Sequence, residues 1–335
     1  MKAWILEKQS KIEDRPLKLV DMPAPLPGKH EIRVKIQACG ICRTDIHIAE
    51  GDLPLKKSPL ILGHEIVGKV DKMGEGTHRF EPGHPVGISW LYRTCGKCGF
   101  CLKEKENYCP DFLCTGWDAD GGFAEYVTIH EDFASSLKGL NMEPEDAAPL
   151  LCPGIAGYCA LKLAEPEKND KIGLFGFGPT ATYVLKAAKY LGIETFVSTR
   201  SPERKFLAEQ NGAAWVGNVS EDKMPGPLDS AVVFPPAGSL VEPSLSHVKI
   251  GGLLVLAPVS MSPIEIKNYT QNLWGRDIRT LFNINRADSE EFLRIAGKTD
   301  MKMGRQVFDF EELQEAMIQV KKGEIDQPNA VIKIF

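Results

Sequence analysis

Four cysteines fall within fifteen residues of this chain, in the pattern Cys95-x2-Cys98-x2-Cys101-x7-Cys109. Few local patterns restrict a fold so tightly, because four thiolates at these intervals can enclose one Zn²⁺ tetrahedrally, with Zn–S near about 2.3 Å. Gly96 and Gly99 let the backbone turn between ligands. The set needs no further donor, so the spacing predicts a closed, structural metal lobe. The competing readings are four unrelated reduced thiols and an iron–sulfur cluster, whose ligands favour other spacings. The chain has nine cysteines, an odd number that suits a reducing compartment better than a disulfide framework.

A second set is dispersed. Cys42 lies in Cys39-Gly-Ile-Cys42-Arg-Thr44-Asp45-Ile-His47, His64 in Gly63-His64-Glu65-Ile-Val-Gly68, and Cys152 in Leu150-Leu-Cys152-Pro-Gly154. Taken singly, each reads as a small buried hydrophobe or a hydrogen-bonded histidine. Together they can supply two thiolates and one imidazole with a fourth position free, which is what a catalytic zinc needs. Spacing alone does not choose between Cys39 and Cys42. Asp45 could accept a hydrogen bond from the non-ligating nitrogen of His64 and fix its tautomer. Glu65 could approach the metal when its fourth ligand changes. Thr44 could hand on a substrate proton, with His47 as the surface end of the relay. The plainer alternatives are a solvated loop acid, a structural carboxylate and a turn residue.

The third constellation is Gly176-Phe-Gly178-Pro179-Thr180-Ala181, which follows the strand-like run Lys171–Phe175 and opens a helical pattern. The first glycine allows a sharp turn, the second lets backbone amides approach a pyrophosphate, and a small third residue permits close helix–sheet packing. The helix N-terminus would hold the phosphates. After the next strand, Thr195–Thr199, an NAD site would place an acid on the ribose hydroxyls. This chain offers Ser198-Thr199-Arg200-Ser201, with Arg204 and Lys205 beyond. Hydroxyls and guanidinium groups suit a 2′-phosphate, so Thr199, Arg200 and Lys205 favour NADP(H).

Two styles of sequence divide the chain. Residues 1–150 carry short β-rich runs such as Glu31–Ala38 and Ile66–Val70, separated by Pro-Gly breaks at 27–28 and 82–83. From about residue 165, apolar strands alternate with amphipathic helices. Leu228–Phe234, Leu253–Ala257 and Ile278–Phe282 follow as strands, and Ser201 and Pro202 cap a helix that Gly212 ends. This alternation predicts a parallel sheet covered by helices. A last helix begins at Asp309, with Glu312 completing a capping box, and Val331–Phe335 closes as a strand. The formal charge of −5 gives no footprint for nucleic acid or anionic membrane. No apolar run is long enough to span a bilayer. With no secretory pattern at its start, the chain is expected in the cytoplasm.

The matching pieces GICRTDIH at 40–47, GHEIVG at 63–68, the four-cysteine lobe, DGGFAEY at 120–126, LLCPG at 150–154 and GFGPTA at 176–181 occur in one order along the chain. In this the sequence resembles the zinc-dependent medium-chain alcohol dehydrogenases over essentially its whole length. The resemblance implies an α/β protein with two domains. Residues 1–150 and 286–335 would form a GroES-like, β-rich catalytic domain, and residues 151–285 a Rossmann domain with a doubly wound parallel sheet. It implies two Zn²⁺ per chain and assigns the catalytic one to Cys42, His64 and Cys152, choosing Cys42 over Cys39. Thr44 and His47 take the relay places, and Trp90 an aromatic wall of the alcohol pocket. Homo-oligomers, dimers or tetramers, are usual among similar enzymes. The expected reaction interconverts an alcohol and an aldehyde or ketone by hydride transfer with a nicotinamide cofactor. A polyol or amino-alcohol dehydrogenase, or a zinc- and dinucleotide-binding protein without turnover, are the alternatives. The chain departs from the family pattern at His84, at Ala156 and at Gln327-Pro328-Asn329, the last replacing a segment that often carries a phosphate-binding arginine.

Overall fold

The computed structural model describes residues 1–335, which divide into two compact units. The first comprises Met1–Cys152, Ile284–Gly297 and Lys302–Phe335; the second comprises Pro153–Asn283 and Lys298–Met301. No helix is long and apolar enough to cross a membrane.

In the first unit the alternating run Ile32, Val34, Ile36 and Ala38 turns one face of the long strand Glu31–Gly40 into the core. That strand is the centre of a seven-stranded sheet. On one side it pairs antiparallel with Glu65–Met73, which leads to Pro85–Ile88 and Ala134–Ser136. On the other it pairs antiparallel with Asn329–Lys333, which runs parallel to Arg305–Asp309; Tyr126–His130 also pairs with it. A smaller sheet orders Leu17–Asp21, Lys2–Leu6 and Leu60–Ile61. The last helix runs Leu313–Lys322, preceded by a single 3₁₀ turn at Phe310–Glu312 that Asp309 and Glu312 cap as a box. It buries Leu313, Ala316 and Met317, and Gly323 ends it in the left-handed region. The closing strand stops at Lys333, two residues short of the end expected from its apolar run; beyond it the Ile334 amide still donates to the Gln37 carbonyl at 2.9 Å, in register with Lys333 opposite Ala38.

The second unit is a six-stranded sheet, all parallel. Its order is Trp215–Gly217, Glu194–Ser198, Lys171–Phe175, Leu228–Val233, Val248–Leu256 and Asp277–Thr280. This is the doubly wound order, with its switch point between the strands Lys171–Phe175 and Leu228–Val233. The strand expected at 253–257 begins five residues earlier, at Val248, across a register shift. Ser201 caps the helix Pro202–Gln210 by accepting from the Arg204 amide, with Pro202 at its first position.

Candidate metal centres

The sheet itself brings the first two dispersed ligands together. A register shift between Ile36 and Ala38 leaves Cys39 opposite Ile66 and Gly40 opposite Glu65. The chain therefore leaves one strand just before Cys42 and enters its neighbour just after His64, at the same end of the pair. Gly40 is required there, because the Glu65 carboxylate occupies the space a β-carbon would take. Cys42 then becomes the N-cap of helix α1, Arg43–Glu50, and Cys152 arrives at the end of the turn Ala148–Leu151.

The ligand atoms of Cys42, His64, Glu65 and Cys152 all lie within 4.8 Å of one another. Cys42 Sγ is 3.8 Å from Cys152 Sγ, the edge of a tetrahedron whose metal–sulfur bonds are about 2.3 Å. Cys39 is outside the cluster: it is fully buried on the sheet, and burial pushes its thiol well up. Asp45 stands behind His64. It is fully buried, Oδ1 meets His64 Nδ1 at 3.2 Å and the Gly63 amide at 3.1 Å, and Oδ2 accepts from the Cys42 amide at 2.9 Å. One carboxylate thus fixes the histidine tautomer and caps the helix that carries the thiol.

Electrostatically the cluster is a sink for a cation. The hydrogen bond from Cys152 holds Cys42 well below the usual thiol range, and the same contact pushes Cys152 well above it. Burial, then the charge on Cys42, pushes Glu65 well up. Burial opposes charge on His64, yet Asp45 and Cys42 outweigh it and raise its pKa well above normal. Two thiols and two carboxyl groups around one imidazole are costly to bury unless a positive ion balances them. The donor set therefore fits Zn²⁺. Asp45→Asn, which keeps the size of the side chain and removes its charge, should weaken zinc affinity here by about 10- to 100-fold. Competition with a chelating dye measures this; unchanged affinity would make Asp45 a bystander.

The contiguous set is a second, separate cluster. Cys98 and Cys101 sulfurs are 3.5 Å apart, Cys95 and Cys109 3.6 Å, and Cys95 and Cys101 4.0 Å. Backbone amides point at the sulfurs: Cys98 N reaches Cys95 Sγ at 3.3 Å and Cys95 N reaches Cys109 Sγ at 3.4 Å. The amides of Lys97 and Cys98 bring Cys95 down to about 7, whereas burial raises Cys109 to about 12. All four sulfurs converge, leaving no side for a substrate. This geometry also fits a tetrahedral Zn²⁺.

Thr44 Oγ1 lies 3.6 Å from Cys42 Sγ. His47 is exposed one turn further along α1, with Nδ1 2.7 Å from Asp52, a partner that the motif did not reveal. Trp90 sets its ring edge-on against His64, centroids 5.0 Å apart. Trp117 stacks on Trp90 at 6.0 Å and 21°. It lies just before the DGGFAEY motif, inside a Gly- and Asp-rich turn that sequence reading passed over. His84 and Ala156 are not part of either cluster; His84 Nε2 meets Ser136 Oγ at 2.8 Å.

In the second unit Gly176 follows its strand with φ +83°, and a β-carbon there would strike the Pro235 ring. Gly178 caps helix α2, Pro179–Leu191, whose first amides, including those of Thr180 and Ala181, have no acceptor inside the helix. The space above Gly178 is open, with only Arg204 Nη1 approaching, 3.9 Å from where a β-carbon would sit. This is the cradle a dinucleotide phosphate requires. Thr199 is buried and Arg200 exposed beside it. Lys205 turns to Asp222 at 3.4 Å, and Glu203, which the motif reading left out, bonds Ser201 Oγ.

Residues 28–139 match the family model for the alcohol dehydrogenase GroES-like domain. The chain is 37% identical over 331 residues to a probable alcohol dehydrogenase AdhA of Mycobacterium tuberculosis, covering 97% of this chain and 95% of that protein. It is 31% identical over 334 residues to an alcohol dehydrogenase of Geobacillus stearothermophilus, covering 97% of each. Among solved structures, a cinnamyl alcohol dehydrogenase of Sorghum bicolor superposes with TM-score 0.86 at 26% identity, over 99% of this chain and 97% of that one.

Proposed function

The chain belongs to the zinc-dependent medium-chain alcohol dehydrogenase family and is an alcohol oxidoreductase, and from that premise we propose that it is a zinc-dependent enzyme transferring hydride between an alcohol and NADP⁺. The observation that carries this reading is the set Cys42–His64–Cys152, with the Glu65 carboxylate as an exchangeable fourth donor and Asp45 locked behind His64. A purely structural metal would need neither a carboxylate that can give way to a substrate oxygen nor Thr44 beside it. When bound, Zn²⁺ supplies Lewis acidity toward a substrate oxygen, and the nicotinamide accepts or donates the hydride.

The chain's own residues do the rest. Cys42, His64 and Cys152 hold the metal, with Glu65 in reach as a spare ligand. The Thr44 hydroxyl accepts the proton that the alcohol gives up and releases its own toward His47 and solvent. His47, paired with Asp52 at the exposed face of α1, exchanges a proton with solvent. Gly176, Gly178, Pro179, Thr180 and Ala181 present the loop and helix start to the pyrophosphate. Arg200, Arg204 and Lys205 outnumber the carboxylates of Glu203 and Asp222, which favours a 2′-phosphate near Thr199. Lys205 contributes less, because Asp222 engages it.

Steady-state kinetics on an alcohol and aldehyde panel test both levels of the proposal. NADPH should exceed NADH in kcat/KM by about tenfold or more, and Arg200→Glu should reverse the order. A strong NADH preference in the unsubstituted protein would sink the cofactor reading. No hydride transfer with either cofactor would sink the zinc–alcohol reading as well.

A further inference from the structure

We propose that Trp117 is a positioning residue that sets substrate specificity, holding Trp90 so that the open metal set favours alcohols and aldehydes carrying a flat, conjugated ring. The inference rests on the functional reading above and names its substrate class.

Trp90 follows the strand Pro85–Ile88, and its carbonyl accepts from the Thr115 amide at 2.9 Å. The paired segments Leu91–Arg93 and Leu113–Cys114 therefore carry Trp90 and Trp117 to neighbouring positions. Beyond Cys114 the chain turns tightly, with the amides of Asp118 and Ala119 both on the Cys114 carbonyl. The same loop is laced to the strand that leads into His64: Gly121, Phe123 and Gly122 donate to the carbonyls of Ile61, Leu62 and Gly63 at 2.8, 3.0 and 2.9 Å. These bonds fix the position of the loop relative to His64.

The two indoles are held very differently. Trp117 donates from Nε1 to the Pro54 carbonyl at 2.9 Å, and Lys56 Nζ sits 3.6 Å over its ring while pairing with Asp118 at 2.7 Å. Trp90 is placed by ring contacts, stacked on Trp117 and edge-on to His64. Both are half-buried, so ring surface remains for another molecule. The result is a pair of nearly parallel rings beside the imidazole ligand. A planar ring attached to the reacting carbon can lie against such a wall with its whole face, whereas a puckered ring of the same carbon count touches it at a few hydrogens. Without the anchored Trp117, Trp90 loses its orientation before it loses its area.

The test uses the zinc-loaded full chain and two aldehydes of equal ring size, benzaldehyde and cyclohexanecarbaldehyde. Trp117→Leu keeps an apolar side chain but no flat face. It should lower the ratio of kcat/KM for benzaldehyde over cyclohexanecarbaldehyde by about five- to tenfold, mainly through KM for benzaldehyde. Trp117→Phe should restore at least half of that ratio, and Lys56→Met should lower it by about twofold. Comparing ratios removes any general loss of active protein, and Lys56→Met, on an exposed side chain, carries the test if the leucine variant does not fold. A ratio unchanged by Trp117→Leu and Lys56→Met, or a phenylalanine variant as depressed as the leucine one, overturns the proposal. Inability of the unsubstituted protein to reduce either aldehyde would instead overturn the functional reading on which it stands.

Discussion

Cys42→Ala is expected to lower kcat/KM by more than about a thousandfold while the four-cysteine lobe keeps its metal. The side chain and the backbone of Cys42 serve different ends, which is why the loss should fall on the metal and leave the helix start in place. Its sulfur belongs to the open cluster, 3.8 Å from Cys152. Its amide and carbonyl start helix α1, through Asp45 Oδ2 at 2.9 Å and the Asp45 amide at 3.1 Å. Alanine removes the sulfur and leaves both backbone bonds. Metal analysis should show one zinc lost per chain, and Tm should fall modestly, because Glu65 and Asp45 stay buried without the cation. Full activity with a single zinc per chain would refute the assignment of the open set.

Cys109→Ser should do the opposite, damaging stability before chemistry. The lobe around Cys95–Cys109 has only two single 3₁₀ turns, Cys101–Lys103 and Glu106–Tyr108, and its large apolar residues Phe100 and Leu102 are 48% and 73% exposed. It has almost no core of its own, so a metal held by the four cysteines would be what closes it. Cys109 is the most buried of its four sulfur residues and accepts the Cys95 amide. The damage would spread through Glu106, a buried carboxylate between the third and fourth cysteines. Glu106 takes the Arg286 amide at 2.7 Å and its guanidinium at 2.8–3.0 Å. Releasing that pair adds to the loss of metal, for a total above about 4 kcal/mol, or roughly 10 °C in Tm. Thermal unfolding with and without a chelator checks this. If the serine variant matched the unsubstituted protein in Tm and zinc content, the lobe would have no structural metal.

The two metal clusters differ in how much of them could be read from the residues. Cys95, Cys98, Cys101 and Cys109 come from one contiguous loop, so their spacing already states their geometry. Cys42, His64 and Cys152 meet only because two strands pair with a particular register, and spacing could not separate Cys42 from Cys39. The sheet does: it buries Cys39 and delivers Cys42 beyond the strand end. Strand–helix alternation made the parallel sheet legible, since period and turn residues are local signals. Trp117 was not legible, because its importance comes from stacking on a residue 27 positions earlier along the chain. Glu203 and Asp52 were missed for a related reason. Which hydroxyl or imidazole an acid will face depends on side-chain direction, and the sequence pattern carries no record of it.

The pairing of Asn329–Lys333 with the strand that precedes Cys42 has a consequence for the order of events at the ribosome. Val331 lies opposite Gly40 and Ile332 opposite Cys39, so two strands made almost 300 residues apart are neighbours. During synthesis the second unit emerges almost whole while the central strand of the first still lacks that partner. Nascent chains must keep the Ala38–Gly40 end of that strand from pairing elsewhere until Val331–Lys333 appear, and closing so long a loop is slow. A newly made protein should therefore gain a tight grip on metal at Cys42, His64 and Cys152 late, after its second unit has already formed.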